Sequence, residues 1–370
     1  MRSQEGHAVA ASSKGPPTFV IKAVAAVRAL LLRTADRLLP APLAAAELGH
    51  QFTRAYILAT LSELGVADAL GDDTLTADEL APKLGCNPDS LHRLLRAAAT
   101  FGAVRMGSGG QVSASRITRT LRSDDPHAVG AWCSYLTSPA HQQAWADLAT
   151  SVRTGEPAFR RVHGRNLFEH FASNPEQGRH FNQGLAGLTL NDAPFVLSAL
   201  DLPRAGVVCD IAGGRGVLLA EVLLAQPGLH GILVESPDVL TEATTYLRRR
   251  NLLDRVQLVP GDIFAPLDVT ADLYLLKWIL HDWDDPTCTR LLKGIATTMP
   301  TGARLAVIEG IQEANVVDPR FSMIDLEMLV VTEGHERPAE DLRKLLTSAH
   351  LTPENTRVTA TGTAVLTAIA

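Results

Sequence analysis

The chain has 370 residues, of which 46% are hydrophobic and 20% are charged, and its formal net charge is -6. This is the composition of a globular protein with room for two domains, and its acidic balance counts against a nucleic-acid binder, whose surface is usually basic. The four cysteines are far apart and form no CxxC pair, so we expect free thiols in a reducing cytoplasm rather than a disulfide framework or a zinc site.

Residues 1–16 are small and polar, and we predict that they are disordered. The next segment, TFVIKAVAAVRALLL, is apolar but is interrupted by Lys22 and Arg28. It lacks a signal-peptide cleavage site, and no stretch of the chain has the ~18 uncharged apolar residues of a membrane span. It predicts an amphipathic helix that packs on the protein or on a second subunit, with a helix on a membrane surface as the alternative.

Residues 50–105 predict three helices, because apolar positions recur at helical spacing in FTRAYILATLSELGVADAL, TADELAPKLG and NPDSLHRLLRAAATFGAV. Thr76 and Glu79 have the spacing of a capping box, and Asn87 before Pro88 is a good N-cap. The segment RMGSGGQVSAS then places a glycine-rich turn between two short strands. Together these elements predict a winged-helix domain, which we assign to residues 17–125.

Two roles are open to such a domain. Its third helix carries Arg93 and Arg96, which could face the phosphates of DNA, but Asp89 lies on the same helix and Asp78 and Glu79 lie close before it. Two arginines on a helix are usually a solvated face, so dimerisation is favoured over DNA binding.

Residues 126–200 are predicted to be helical and contain several aromatic and histidine residues, without a CxxC or HExxH motif that would organise a metal. From residue 206 onward, apolar strands alternate with helices; the strands are GVVCDIAGG, HGILVES, VQLVPGD, DLYLLKWIL and RLAVIEG. This alternation predicts an α/β domain over residues 201–370, with a parallel sheet covered on both faces. The helix AEDLRKLLTSAHL and the strand AVLTAIA complete it.

Acidic residues stand at the ends of three successive strands. Asp210 ends the first strand, Glu235 the second and Asp262 the third. Because the carboxyl ends of parallel strands meet at one edge of the sheet, these carboxylates should gather at a ligand crevice. The turn after Asp210 has glycines at 213, 214 and 216, but it matches neither GxGxxG nor a P-loop. An acid beside this turn suits a cationic or amine-bearing ligand better than a diphosphate.

These pieces resemble the S-adenosylmethionine-dependent methyltransferases. With LLKWILHDWDDP, DLEML and EGHERPAEDLRKLLTSAHL, the resemblance narrows to the plant-type (family 2) small-molecule O-methyltransferases, in their bacterial secondary-metabolite branch. It covers nearly the whole chain from about residue 45. It implies a Rossmann-like, mostly parallel sheet whose last strand is antiparallel, a homodimer formed through the N-terminal winged-helix domain, and linker helices over residues 126–200 that line the acceptor pocket.

The resemblance also implies a role for each matching residue. His281 would be the general base, oriented by Glu309 and Glu336. The residues that would bind S-adenosylmethionine are Asp210, Gly213, Gly214, Gly216, Glu235, Asp262, Ile263, Lys277 and Trp278. Those near the acceptor would be Asp282, Met323, Asp325 and Met328. No metal, nucleic acid or membrane is implied.

The chemistry of methyl transfer to a phenol fits these residues. A phenol titrates near pH ~10, so a base helps it attack a methyl sulfonium at neutral pH, and histidine is the side chain best matched to that pH. A carboxylate on the other ring nitrogen would fix its tautomer. We therefore predict methylation of a small aromatic, polyketide-type phenol, with S-adenosylhomocysteine as the product.

Two other functions stay open at this point. One is a hydroxylase or cyclase that uses the bound cofactor without transferring its methyl group; the presence of the full His281, Glu309 and Glu336 set disfavours it. The other is a DNA-binding regulator. Methylation of an amine or a carboxyl group instead of a phenol is also open. Within the resemblance, the chain departs from the family pattern at Ala212, Arg215 and Leu185.

Overall fold

The computed structural model describes residues 18–313 and 317–370. The predicted disorder of residues 1–16 lies outside this range. Three parts follow one another along the chain: a helical part with a small sheet, a series of linker helices, and a domain built on a large sheet. Among the helices of the described residues, none is both long enough and apolar enough to cross a membrane.

The N-terminal part is mostly helical. Its elements are α1 (Thr18–Arg37), α2 (Ala41–His50), α3 (Phe52–Glu63), α4 (Val66–Leu70), β1 (Thr74–Leu75), α5 (Ala77–Leu84), α6 (Pro88–Ala99), β2 (Val104–Met106), β3 (Val112–Ala114) and α7 (Arg116–Arg119). The capping box of Thr76 and Glu79 and the N-cap at Asn87 are confirmed. The predicted first helix is divided at Gly65, whose φ of 69° is left-handed and ends α3. The hairpin β2–β3 is confirmed, and β1 adds a third strand that the sequence did not predict.

The linker part is entirely helical, as predicted. It consists of α8 (Gly130–Leu136), α9 (Pro139–Ala146), α10 (Leu148–Thr154), α11 (Ala158–His163), α12 (Leu167–Ser173) and the long α13 (Pro175–Ala199). Glycines let α13 approach α8 closely: a Cβ atom at Gly184 would collide with the backbone of Trp132, and one at Gly187 with the carbonyl of Ala128. Helix α13 therefore packs tightly against α8 and the residues just before it.

The C-terminal part alternates strands and helices. Its elements are β4 (Ala205–Ile211), α14 (Val217–Ala225), β5 (Gly228–Glu235), α15 (Pro237–Arg249), β6 (Val256–Pro260), β7 (Leu273–Lys277), α16 (Asp285–Thr298), β8 (Arg304–Gly310), α17 (Pro319–Val331), α18 (Ala339–Ser348), β9 (Thr352–Val358) and β10 (Thr363–Ile369). The seven strands have the order β6-β5-β4-β7-β8-β10-β9. Strands β4 to β8 pair in parallel, and β10 is antiparallel to β8, as expected. Two apolar clusters cover the two faces of this sheet.

The end of β7 differs from the prediction. The sequence predicted a strand through Leu280, but β7 ends at Lys277, and Trp278 has a left-handed φ of 55°. A short 3-10 turn at Leu280–Asp282 follows. The strand ends because a side chain takes over its hydrogen bonds: Glu309 Oε1 accepts the N–H groups of Ile279 and Leu280 at 3.0 and 2.8 Å. We call residues 278–283 the 278–283 loop.

Candidate active site

The carboxyl ends of the five parallel strands meet at one edge, which we call the carboxyl edge. In the spatial order of the strands, this edge carries Asp262, Glu235, Asp210, Lys277 and Glu309. All five were predicted as site residues. The parallel pairing of their strands is the reason that residues spread over a hundred positions of sequence form a single row.

Asp210, at the centre of the row, is deeply buried, at 1% exposure. Its Oδ2 atom has no hydrogen-bond partner among the described residues. Burial raises the pKa of Asp210 to about 7, although the positive charge of Lys277 opposes the rise. The adjacent turn leaves space only for a hydrogen at residue 213, since a Cβ atom there would collide with this carboxylate. An unpaired carboxylate oxygen in a tight glycine turn is suited to an ammonium group.

The turn itself contains a strained residue. Ala212, one of the departures from the family pattern, has a φ of 53°, in the left-handed region that favours glycine. Its N–H donates to the carbonyl of Val234 at 2.9 Å, which holds the turn against β5. Such a backbone costs a non-glycine residue about 1 kcal/mol or more.

The outer end of the row is more open. Glu235 accepts the N–H groups of Gly214 at 3.1 Å and Ser236 at 2.7 Å, and burial raises its pKa. Asp262 is exposed and accepts the N–H of Phe264 at 2.9 Å, while Ile263 packs against the core. The row thus passes from a buried carboxylate to an exposed one, which suits a ligand with one end enclosed.

Lys277 links the row to α13. Its Nζ atom donates to Thr189 Oγ1 at 3.3 Å and lies 3.2 Å from the centre of a ring of Trp278. Burial lowers the pKa of Lys277 to about 8, whereas Asp192, Glu309 and Asp210 raise it. Thr189 and Asp192 lie on one face of α13 and were missed in the sequence, where nothing marks them off from other helical residues.

His281 lies among carboxylates in the 278–283 loop. Its Nδ1 atom is 2.7 Å from Glu336 Oε1 and 3.8 Å from Glu309 Oε2, and its Nε2 atom is 3.8 Å from Asp282 Oδ1. Burial lowers the pKa of His281, but Glu309, Asp282 and Glu336 raise it further, to about 10. The ring is therefore held by acids at Nδ1, while Nε2 faces Asp282.

Two carboxylate oxygens beside His281 are unpaired. Glu309 Oε2 and Glu336 Oε2 are both buried and have no hydrogen-bond partner in the described part of the chain. Burial also raises the pKa of Glu309 to about 7, and that of Asp282 to about 6. One ligand-type atom from each of His281, Glu309 and Glu336 lies within 4.8 Å of the others, so this trio could also accommodate a cation.

A buried arginine that the sequence did not single out holds the 278–283 loop. Arg337 is 2% exposed and donates to the carbonyl oxygens of Leu280 and Trp283, each at 2.7 Å, and to Asp285 Oδ1 at 2.8 Å. Arg337 follows Glu336 directly, so one segment positions the loop backbone and the histidine ring together.

The four residues predicted to lie near the acceptor fall into two groups. Asp282 is beside His281, and Asp325 Oδ1 accepts the N–H of Glu336 at 2.9 Å, so both belong to the surroundings of the histidine. Met328 packs in the apolar cluster that includes Phe159 and Leu167, and Met323 is 60% exposed. The structure thus brings the two aspartates, and not the two methionines, into contact with the histidine cluster.

Arg215, another departure from the family pattern, points toward α15. Its Nε atom is 3.8 Å from Glu242 Oε2, and its guanidinium lies 5.8 Å from the centre of the Tyr246 ring. Leu185 is half-buried on α13.

Comparison with known proteins agrees with this architecture. Residues 145–351 match the O-methyltransferase domain, and residues 46–124 match the O-methyltransferase dimerisation domain. The chain is 37% identical to the mitomycin biosynthesis 6-O-methyltransferase of Streptomyces lavendulae over 79% of its own length and 84% of the relative's. It is 32% identical to the phenazine O-methyltransferase PhzM of Lysobacter antibioticus over 86% and 93%.

Solved structures agree as well. LaPhzM superimposes with a TM-score of 0.85 at 30% identity, covering 90% of this chain and 99% of that one. The O-methyltransferase NcsB1 from neocarzinostatin biosynthesis, in complex with S-adenosylmethionine and 2-hydroxy-5-methyl naphthoic acid, gives a TM-score of 0.70 at 27% identity over 85% and 95%.

Proposed function

The chain belongs to the plant-type O-methyltransferase family, and on that premise we propose that it methylates a phenolic hydroxyl of a small aromatic natural product, with His281 as the base. The observation that carries this proposal is the 2.7 Å contact between His281 Nδ1 and Glu336, beside Glu309, the last member of the row at the carboxyl edge. A base and a cofactor site side by side are what transfer between two bound molecules requires.

The residues of the carboxyl edge fit S-adenosylmethionine. The unpaired Oδ2 of Asp210 suits the ammonium group of its methionine part, and the glycine turn lets that part approach the backbone. Glu235 would hold the ribose hydroxyls through its remaining lone pairs, and Asp262 with Ile263 would contact the adenine. When bound, the cofactor supplies an electrophilic methyl group on a positively charged sulfur.

His281 then has to accept one proton. Glu336 accepts a hydrogen bond from the Nδ1–H group of His281. This leaves Nε2 free to take the proton of the acceptor hydroxyl. The carboxylates raise the pKa of His281 to about 10, so the unliganded ring is protonated at neutral pH. A second positive charge in the site lowers that pKa, so the bound cofactor itself favours the neutral, basic ring.

This reaction needs no metal, because the methyl donor is already activated and the base is a side chain. The protein's contribution is alignment of the reacting atoms and exclusion of water. The 278–283 loop provides alignment, since Glu309 and Arg337 together bind four of its backbone groups: the N–H groups of Ile279 and Leu280 and the carbonyl groups of Leu280 and Trp283.

Incubation of the purified protein with S-adenosylmethionine and a panel of phenols, amines and carboxylic acids tests the proposal. We expect S-adenosylhomocysteine and a methyl ether of a phenol, both measured by mass spectrometry. Methylated amines or esters without any methyl ether would contradict the phenolic acceptor. An oxygenated or cyclised product with the cofactor unconsumed would favour the hydroxylase or cyclase function.

We further infer that the protein is a homodimer held by its N-terminal part. Helices α1 to α3 expose apolar side chains that a partner would cover; among them are Val24, Leu30, Leu31, Leu43, Leu48 and Phe52. Light scattering after gel filtration should give twice the mass of the chain, and a Leu30→Glu, Leu31→Glu double variant should give a monomer. A wild-type monomer at micromolar concentration would contradict the inference.

A further inference from the structure

A second polar group is buried in the linker helices, outside the site described above. His141 on α9 and Tyr135 on α8 are 3% and 4% exposed, and their rings meet edge to face with centroids 4.9 Å apart. His141 Nε2 is 2.7 Å from Glu327 Oε1 on α17, and the other oxygen of Glu327 accepts the Trp145 indole N–H at 2.7 Å. Glu327 therefore fixes Nε2 of His141 as a hydrogen-bond donor.

This arrangement leaves two neighbouring polar atoms unpaired. His141 Nδ1 is buried without a partner among the residues that the structure describes. The hydroxyl group of Tyr135 makes no hydrogen bond with any of them either. Buried polar atoms are nearly always paired, so His141 Nδ1 indicates that a ligand supplies its partner, and the hydroxyl of the adjacent Tyr135 ring is available to the same ligand.

The position of Tyr135 connects this pair to the catalytic histidine. Burial, together with the negative charges of Glu327 and Asp282, raises the pKa of Tyr135 well above its ordinary value. Its neighbour His141 contacts Glu327 of α17, and Asp282, the other acid that acts on Tyr135, is 3.8 Å from His281. Trp132 and Phe181 flank Tyr135, with ring centroids 5.2 and 5.0 Å away, and give this region flat apolar walls.

We propose that Tyr135 and His141 form a specificity subsite that binds a second, uncharged polar substituent of the aromatic acceptor. Tyr135 donates its O–H to that substituent, and His141 Nδ1 accepts a hydrogen from it. A hydroxyl or a primary amide satisfies both atoms. A carboxylate does not, because it has no hydrogen to give to Nδ1 and is repelled by Glu327 and Asp282. This inference rests on the proposed function, since it names the class of acceptor: an aromatic with two polar groups, one methylated and one held.

Binding of matched naphthalenes tests the subsite without requiring turnover. The probes are 2-naphthol, 2,7-dihydroxynaphthalene and 7-hydroxy-2-naphthoate, titrated calorimetrically into protein saturated with S-adenosylhomocysteine. We expect the dihydroxy compound to bind about tenfold or more tightly than 2-naphthol, which corresponds to about 1.4 kcal/mol. The naphthoate should bind no more tightly than 2-naphthol.

A variant that removes a single oxygen isolates the contact. Tyr135→Phe keeps the ring and should reduce the preference for the dihydroxy compound to about twofold or less, with the affinity for 2-naphthol unchanged. Tyr56→Phe, at an exposed position on α3, is the matched control and should retain the full preference. His141→Gln serves as a second variant, with a thermal melt to confirm that it is folded, and should lower the same preference.

Three results overturn the subsite: equal binding of the two naphthols, no binding of either, or an equal loss for both in Tyr135→Phe. The proposed function fails in a different way, if no compound in the wider panel is methylated. The two failures are separable because the titrations use the product form of the cofactor and detect no chemistry.

Discussion

Two histidine–carboxylate pairs in the described part of the chain have the same 2.7 Å contact and different surroundings. His281 has three carboxylates around its ring and is carried by an irregular loop, whereas His141 meets one carboxylate, which also accepts a hydrogen from Trp145, and is carried by the regular helix α9. The excess of negative charge around His281 favours a positive charge on or next to the ring. The single, doubly satisfied Glu327 favours a fixed tautomer. The contact alone therefore does not distinguish a base from a recognition residue; the number of neighbouring charges does.

The sharpest test of this contrast is to replace each histidine with glutamine. His281→Gln should lower turnover by about 10²–10⁴-fold, the scale expected for loss of a general base, with cofactor affinity nearly unchanged. His141→Gln should mainly raise the KM for the acceptor. Steady-state kinetics with a methylated phenol, and calorimetry with S-adenosylhomocysteine, measure both. Similar losses of kcat in the two variants would contradict the assignment of different roles to His281 and His141.

The backbone that carries His281 is irregular and needs side-chain support, whereas the helix that carries His141 has its own backbone hydrogen bonds. The 278–283 loop depends on Arg337, whose charge-assisted bonds to two carbonyl groups should each contribute about 1.5–3 kcal/mol. We expect Arg337→Met to lower the free energy of unfolding by about 2–3 kcal/mol and to reduce kcat. Denaturant unfolding measures the first quantity.

Lys344→Met, which removes an exposed pair with Asp341, is the control and should cost less than about 1 kcal/mol. If Arg337→Met were no more destabilising than this control, the 278–283 loop would not depend on the arginine.

A pH profile distinguishes the two environments further. In the proposed mechanism the neutral ring of His281 is the active form, so kcat/KM for the acceptor at saturating cofactor should rise with pH until the pKa of the ring is passed. Glu336→Gln removes a carboxylate that raises this pKa, so the rising limb should move to lower pH, and the plateau rate should fall about tenfold. Glu327→Gln should leave the position of the limb unchanged. A limb that moves equally in both variants would contradict the assignment of the base.

The smallest expected effect concerns backbone strain, which is found at the carboxyl edge in Ala212 and Trp278. Ala212→Gly relieves a left-handed φ of 53° but adds freedom to the unfolded chain, so we expect a gain of about 0.5 kcal/mol in stability. Ala97→Gly in the regular helix α6 should instead lose about 1 kcal/mol. Thermal melts with and without S-adenosylhomocysteine compare the two. A loss at Ala212 as large as that at Ala97 would show that its backbone is not strained.

Local patterns in the sequence were enough to predict much of this molecule. The capping box of Thr76 with Glu79 and the apolar strands with acidic ends are patterns of neighbouring residues, so the winged helix, the α/β sheet and the carboxylates Asp210, Glu235 and Asp262 could be predicted. The resemblance to a family supplied Lys277, Glu309 and the proposed role of His281, which a lone histidine in a loop does not reveal.

Features that depend on distant partners could not be predicted. His141 and Glu327 are 186 positions apart, and nothing near either residue indicates the other. The early end of β7 depends on Glu309, which lies one strand further along the sheet. Strand β9 was missed because its sequence, TPENTRV, is mostly polar and lies at the edge of the sheet, where packing gives no apolar pattern.

The two hydrogen bonds from the 278–283 loop to Glu309 have an evolutionary consequence. The N–H groups of Ile279 and Leu280 are not paired with a neighbouring strand and donate to this one carboxylate. Glu309 therefore stabilises the loop whether or not it takes part in proton transfer. An evolved protein that no longer transferred a methyl group could lose His281 and keep these two hydrogen bonds. It would still need a hydrogen-bond acceptor at position 309 to hold the loop. Preservation of that glutamate in a relative is thus a sign of shared loop geometry, and, under the proposed function, the histidine is the residue whose loss would record a change of reaction.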